Sequence, residues 1–293
     1  MDLLKLVLVL VVLAVVAGVL TVGVQSVVQS SCVSVLDVHG VISLDGEASF
    51  FSAQPGSRSL VKQIKDWQES SSPVLLLDVN SPGGSAVASK EIYDVLLESE
   101  KPVVAYLGEV AASGGYYVAA GSDFIVANPH AVTGSIGAIA DVVNYQGLLE
   151  KLGVQQDVIK SGELKDIGAG YRNLTTQERQ LLQGLIDETF QNFRADVEKS
   201  RAGNLTGFYQ ETLDARILSA SQAKKAGLVD AVGSRQSALE KAATLGGLDA
   251  TSVTECPLEP PTSFGDLFAS AGSSFAQGML RELSAPALLK ATT

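Results

Sequence analysis

Three short stretches of the sequence carry residue types that could act together on a carbonyl carbon. The first is Ser113, in AASGGYY (111–117), a hydroxyl set among small residues. It follows an apolar run that reads as a strand, and the residues after it suit the start of a helix. A hydroxyl at such a junction is exposed at the end of a sheet. The amide of Gly114, at a helix amino terminus, is placed to stabilise an oxyanion. Taken alone, the motif is more often a close-packed turn than a nucleophile. The second stretch is NSPGGS (80–85), immediately after the run VLLLDV. Gly83 and Gly84 carry no side chain, so their amides can approach a ligand and face it. The third is VIKSGELKDIG (158–168). Only two histidines occur, His39 and His130, so a serine nucleophile here needs another base, and a neutral lysine can serve.

That base is demanding. A lysine ordinarily titrates near ~10.4, and keeping one neutral near pH 7.5 costs about 4 kcal/mol, which only a desolvated site supplies. Leu164 and Ile167 flank Lys165 and are candidate walls for such a site. Asp166 works against it, because a close carboxylate keeps an amine charged. In an extended segment neighbouring side chains point opposite ways, and Asp166 would then face elsewhere. A lysine is far more often a solvated surface group, and residue physics alone does not choose between Lys160 and Lys165.

The elements that must position these groups read as βαβ units. Apolar runs recur at VSVLDV (33–38), VLLLDV (74–79), VVAYL (103–107) and FIVA (124–127). Runs this continuous fit strands buried on both faces of a parallel sheet. Leu60, Ile64 and Trp67 fall at helical spacing between the first two runs, and Ile92, Val95 and Leu96 between the next two. Two glycine-rich loops at the ends of adjacent parallel strands would surround one point with backbone donors. A longer helix opens at Thr175, where Thr175 and Glu178 have capping-box spacing, with an apolar stripe of Leu182, Ile186, Thr189, Phe193 and Val197.

At the amino terminus, Leu6–Val24 runs 19 residues without a charge, about 28 Å as a helix, close to the ~30 Å hydrocarbon core. Its length and the lack of a small-x-small site favour an uncleaved anchor over a cleaved signal. Lys5 before the span favours a cytoplasmic terminus, hence a single-pass protein of the cell membrane with its catalytic domain on the extracytoplasmic side. The organisation expected is an anchor (1–30), an α/β domain (31–248), and a tail (249–293) that is loosely ordered or forms one amphipathic helix near 264–283. Lys and Arg number 21 against 32 Asp and Glu, a net charge of −11, which repels phosphate backbones and argues against nucleic-acid binding. Cys32 and Cys256 are too far apart in sequence for a CxxC motif, and nothing in the sequence requires a disulfide between them. Cys32 follows a poor lipobox, so lipid attachment is set aside.

The spacing Ala-x-Ser-x-Gly is similar to the nucleophile elbow of α/β-hydrolases, but that family needs an acid and then a histidine well downstream. Here the only downstream histidine is His130, 17 residues after Ser113 and before any plausible acid partner. NSPGG, AASGGYYVAAGSDFIVANP, TGSIG (133–137), KSGELKDIG and DARILSASQAKKAGLVD (214–230), in that order, resemble the short, single-domain signal peptide peptidases of the SppA type over roughly residues 33–235. The resemblance implies a ClpP/crotonase-like spiral of βαβ units preceded by one N-terminal transmembrane helix. It implies a Ser/Lys dyad of Ser113 and Lys165, an oxyanion hole from Gly83 or Gly84 with Gly114, and Ser135 positioning the lysine. It further implies a homo-oligomeric ring with each site shared between adjacent protomers, cleaved signal peptides as substrates, and no metal or organic cofactor. Ala215 stands where the family often has Gly. The rival readings are a stomatin-operon-type membrane serine protease and a crotonase-fold acyl-CoA enzyme.

Overall fold

A computed structural model describes residues 32–45, 47–48 and 53–258. The apolar stretch Leu6–Val24 and the helix expected near 264–283 lie outside the described residues. Among the described residues no helix is long and apolar enough to cross a membrane. Those up to Cys256 belong to one compact unit.

The apolar runs become the central strands of one mixed α/β sheet. In chain order these are β1 (Cys32–Ile42), β4 (Leu75–Gly84), β5 (Val103–Ala112) and β6 (Phe124–Ala127), with the short strands β2 (Glu47–Ala48) and β3 (Ala53–Gln54) paired apart. Further along come β7 (Val132–Gly134), β8 (Ile217–Ser219), β9 (Ala231–Val232) and β10 (Thr254–Pro257). The sheet order is β10-β1-β4-β5-β6-β9, and β7 pairs with both β5 and β8. Pairs β1/β4, β4/β5, β5/β6, β5/β7 and β6/β9 are parallel, while β7/β8 is antiparallel. Parallel pairing requires crossovers, and α1 (Ser57–Glu69), α2 (Ala86–Leu97) and α3 (Gly114–Ala119) supply them.

Both faces of the central strands are covered, which is why the runs are continuously apolar. Leu60, Ile64 and Trp67 on α1 are buried, as are Ile92, Val95 and Leu96 on α2. The other face packs Val33, Val35, Leu76, Val104 and Val126 against Ala238, Leu239 and Ala242 of α7 (Arg235–Leu245). Each large aliphatic side chain sunk in this way contributes roughly 1.5–3 kcal/mol.

Cys32 and Cys256 form a disulfide that ties the first residue of β1 to the edge strand β10. Beside it, Arg235 bridges Asp78 on β4 (2.6 Å) and Glu255 on β10 (2.7 and 2.8 Å).

Two further helices frame an arm. α4 (Gln146–Leu152) has no buried residue. α5 (Thr176–Ser200) opens with the expected capping box: Glu178 N–H donates to Thr175 Oγ1 at 3.1 Å, and Thr175 N–H to Glu178 Oε2 at 2.8 Å. Of its apolar stripe, Phe193 and Val197 are buried and Leu182, Ile186 and Thr189 half-buried. The helix therefore packs by its carboxyl-terminal end. A short helix, α6 (Ala220–Ala226), follows β8 with a second capping box at Ser219 and Gln222.

Candidate active site

β4 and β5 end side by side, and the loops after them meet. β4 stays extended through Gly84 because a bulge in its pairing with β1 brings Val41 opposite Gly83 and Ile42 opposite Gly84. Gly84 has φ +156°, and a Cβ there would strike the carbonyl oxygen of Ile42. A Cβ on Gly83 (φ +101°) would lie 2.7 Å from Gly114 N and 2.9 Å from Ser113 Cβ. The NSPGG loop is thus in direct contact with the Ser113–Gly114 turn, and only glycine allows the approach.

Ser113 itself has φ 52° and ψ −124°, a region that L-residues rarely occupy and that costs on the order of 1–3 kcal/mol. The neighbours enforce it. Ser113 N–H donates to Gly134 O (2.9 Å), fixing the end of β5 against β7. A Cβ on Gly114 would collide with Ser89 Oγ, and one on Gly115 would come 2.5 Å from Ser81 O. Small residues are therefore needed for packing here as well as for any chemistry. The turn leaves Ser113 half-buried where a strand gives way to a helix, the posture of a serine held up for attack.

The two candidate oxyanion glycines of the NSPGG loop differ. Gly83 N–H already donates to Ser81 Oγ at 3.1 Å, and Ser81 Oγ donates to Gly40 O at 2.5 Å. Gly114 is the first residue of α3, where amides have no partner within the helix.

Ser135 follows the Gly134 that receives the Ser113 amide. It too has a left-handed backbone (φ 51°) and donates its N–H to Arg216 O at 2.9 Å. Ala215, one residue earlier than Arg216, has φ 62°, the conformation for which glycine is the natural choice. Ser113, Gly83, Gly84, Gly114 and the Ser135 turn are therefore brought together.

Lys165 is not brought to them within one chain. It is exposed, and its amine makes no hydrogen bond or ion pair with any described residue. Leu164 is exposed and Ile167 half-buried, so the dry walls expected around the amine are not formed by this chain alone. Nor is the segment extended. Lys165 N–H donates to Gly162 O, Ile167 N–H to Leu164 O and Ala169 N–H to Asp166 O, a run of turns. Asp166 makes no ion pair with the amine, and other partners hold it. Arg172 donates Nε to Oδ2 (2.9 Å) and Nη2 to Oδ1 (2.7 Å), Lys160 Nζ donates to Oδ1 (2.7 Å) and Tyr171 OH to Oδ2 (2.7 Å). Lys160 is thereby committed, with a second bond to Glu163 O (2.7 Å), and Lys165 is not.

Residues 96–249 match the family described as Peptidase family S49. The chain belongs to that family. It is 43% identical over 207 residues to "Putative protease slr0021" of Synechocystis sp., covering 70% of this chain and 74% of that protein. Identity to "Putative protease MJ0651" of Methanocaldococcus jannaschii is 37% over 217 residues, 73% of this chain and 70% of that one. A "Putative signal peptide peptidase SppA" of Enterococcus faecium is 39% identical over 210 residues, 70% of this chain and 61% of that protein. Family S49 membership makes the chain a serine-type peptidase, and the acyl-CoA reading falls with it. Ser113, Ser135 and Lys165 lie inside the S49 match, whereas Gly83 and Gly84 precede it.

One cluster outside these motifs has ligand-like donors: Asp37, His39 and Asp78, on neighbouring positions of β1 and β4. Asp78 is already engaged by Arg235 and faces His39 across 3.8 Å. The Asp78 carboxylate opposite is the main cause that raises the imidazole's pKa, outweighing its partial burial. Burial pushes the Asp78 carboxyl up, but His39 and Arg235 together bring it below its ordinary value. Asp78 thus serves as an ion-pair partner for Arg235 and His39.

Proposed function

We propose that this family S49 peptidase is a membrane-tethered endopeptidase working through a Ser113/Lys165 dyad, on a ClpP/crotonase-like spiral of βαβ units. The observation that carries the reading is the left-handed Ser113 at the β5–α3 junction, with the Gly83–Gly84 loop packed against it.

In this mechanism Ser113 Oγ attacks the peptide carbonyl while neutral Lys165 Nζ accepts its proton. The tetrahedral oxyanion is held by the amides of Gly84 and Gly114; Gly84 is preferred because the Gly83 N–H is already occupied. Lys165 passes the proton to the leaving amine as the C–N bond breaks. Water then attacks the acyl-enzyme, its proton passing by way of Lys165 to Ser113 Oγ. Ser135 orients the lysine from the turn beside Ser113. No metal or organic cofactor enters any step.

The lysine comes from an adjacent copy in a homo-oligomeric ring. Support for this is the exposed Lys165, without a partner among the described residues, in a region (139–165) that presents large apolar side chains to solvent. Ile139 is 81% exposed and Ile159 102%, with Val143, Leu148 and Leu152 also exposed. Large apolar side chains left in solvent in this number suit a contact surface, and a second copy packed over the segment would dry the amine. Substrates are cleaved signal peptides and other apolar peptides near a membrane, a reading supported by the name of the Enterococcus relative and by the uncharged stretch Leu6–Val24 as tether. The Cys32–Cys256 bond supports an extracytoplasmic location, since disulfides persist in oxidising compartments.

The test is hydrolysis of a short apolar peptide by assembled wild-type, Ser113→Ala and Lys165→Ala proteins. Both variants are expected to be inactive, and mixed assemblies of the two are expected to recover part of the activity. Full activity in either single variant would end the proposal. Dead mixtures, in assemblies shown to exchange subunits, would end the shared-site part of it.

A further inference from the structure

Lys165 is followed directly by a carboxylate, and an acid and a neutral base make poor neighbours. An opposite charge within ~4–6 Å stabilises the protonated amine and shifts its titration upward by about 1–3 pH units. The structure deals with Asp166 in a specific way. Its two oxygens receive four donors: a bidentate fork from Arg172, Lys160 Nζ and Tyr171 OH. A carboxylate has about four acceptor positions, so none is left for Lys165.

Arg172 is itself anchored. Its Nη1 donates to Glu178 Oε2 (2.8 Å) and its Nη2 to Glu178 Oε1 (2.5 Å), with a further bond from Nη1 to Asn173 O (3.1 Å). Glu178 is buried in the capping box of α5. The turn that carries Lys165 is therefore tied to the first turn of a 25-residue helix. The charged and titratable groups around the turn are Lys160, Glu163, Asp166, Tyr171 and Arg172 on the same segment and Glu178 on α5. Within the knot two cations balance two anions.

We propose that Arg172, braced by Glu178, is a positioning residue that sequesters Asp166 so that the amine of Lys165 is left without a carboxylate partner. The assignment rests on Lys165 being the base, and it explains how a Lys-Asp pair can serve a lysine that must give up its proton. It accords with Asp166 being held far below the usual carboxylate range, first by Arg172 and then by Lys160 and Tyr171. Glu178 is likewise brought down to about 2, chiefly by Arg172.

The test is the pH dependence of kcat/KM for peptide hydrolysis, in assembled protein, for Arg172→Gln, Asp166→Asn and the double variant. Loss of Arg172 frees Asp166 to pair with Lys165, so the acid limb of Arg172→Gln moves up by about one pH unit. At a fixed pH below the midpoint that is about tenfold less activity. Asp166→Asn leaves the limb where it is or moves it down, and adding Asp166→Asn to Arg172→Gln returns it to the wild-type position. A purely structural Arg172 predicts a lower plateau with an unmoved limb, or a shift that the double variant does not reverse; either result overturns the proposal. The amine is also titrated directly, by the pH dependence of its competitive acetylation read by mass spectrometry. That measurement keeps the two readings apart. If Lys165→Ala retains activity the dyad fails, yet the acetylation midpoints still report whether Arg172 shields the amine from Asp166.

Discussion

Breaking the Cys32–Cys256 bond is the perturbation whose size follows most directly from the fold. The two cysteines are 224 positions apart, so the cross-link closes nearly the whole described chain into one loop. In the chain-entropy description, a loop that long removes about 5 kcal/mol of unfolded-state freedom at 25 °C. Little else secures β10, whose residues are mostly exposed, apart from its pairing with β1 and the Arg235–Glu255 fork. The assay is urea unfolding of the full chain in detergent, oxidised against Cys32→Ser/Cys256→Ser. With an m-value near ~3 kcal/mol/M, the midpoint of the double variant falls by roughly 1.5–2 M. A fall equivalent to less than about 1 kcal/mol would refute the loop-closure reasoning. So would two free thiols in the unfolded, unreduced wild type.

Ala215→Gly removes a left-handed strain of about 1–2 kcal/mol and adds backbone freedom to the unfolded chain worth about 0.5–1 kcal/mol, so a net gain of up to ~1.5 kcal/mol is expected in the same unfolding assay. A destabilised variant would count against the strain. Gly114→Ala drives a methyl into Ser89 Oγ at the foot of α3; peptide hydrolysis is expected to lose at least ~100-fold in kcat, the scale of one oxyanion donor, with a smaller change in KM. The amide itself is retained in this variant, so unchanged kcat would refute the reasoning that the clash with Ser89 displaces it. His39, whose pKa is raised chiefly by its pairing with the Asp78 carboxylate, contributes stability that is full below its unfolded value near ~6.5 and is lost as pH rises through the folded value. An NMR titration should place its midpoint above 6.5 in the wild type and lower in Asp78→Asn; equal midpoints would break the link.

Much of the scaffold was legible because burial on two faces leaves an unbroken apolar run. Val33–Val38, Val103–Leu107 and Phe124–Ala127 fall on central strands, as does Val74–Val79 from its second residue on, and Leu60, Ile64 and Trp67 all turn inward. The short strands β7 to β10 were not read, since two to four residues carry no periodicity and their pairing comes from the sheet beside them. β4 also continues through NSPGG, because the bulge opposite β1 keeps the glycines extended. The Ser113 turn and the Gly83–Gly84 loop were readable from residue type, as only small residues fit so close a crossing. That Lys160 is engaged and Lys165 is not could not be read from residue type, because it depends on a turn that brings Glu163 O and Asp166 to the Lys160 amine. The disulfide was equally hidden, since 224 positions of chain must fold before Cys32 and Cys256 meet.

The arm is stapled at its neck. Tyr145 N–H donates to Gly170 O at 2.8 Å, Asn144 Nδ2 donates to Asn173 Oδ1 at 2.6 Å, and a Cβ on Gly170 would strike both Val143 O and the Tyr145 ring. With its entrance and exit pinned together, the stretch between them is closed at its base apart from the strands that carry Ser113. Under the proposed dyad, the reach of the Lys165 amine and the posture of the Ser113 hydroxyl then rest on separate parts of the chain, and grafting a relative's 146–169 segment is a way to vary the first while the second is held.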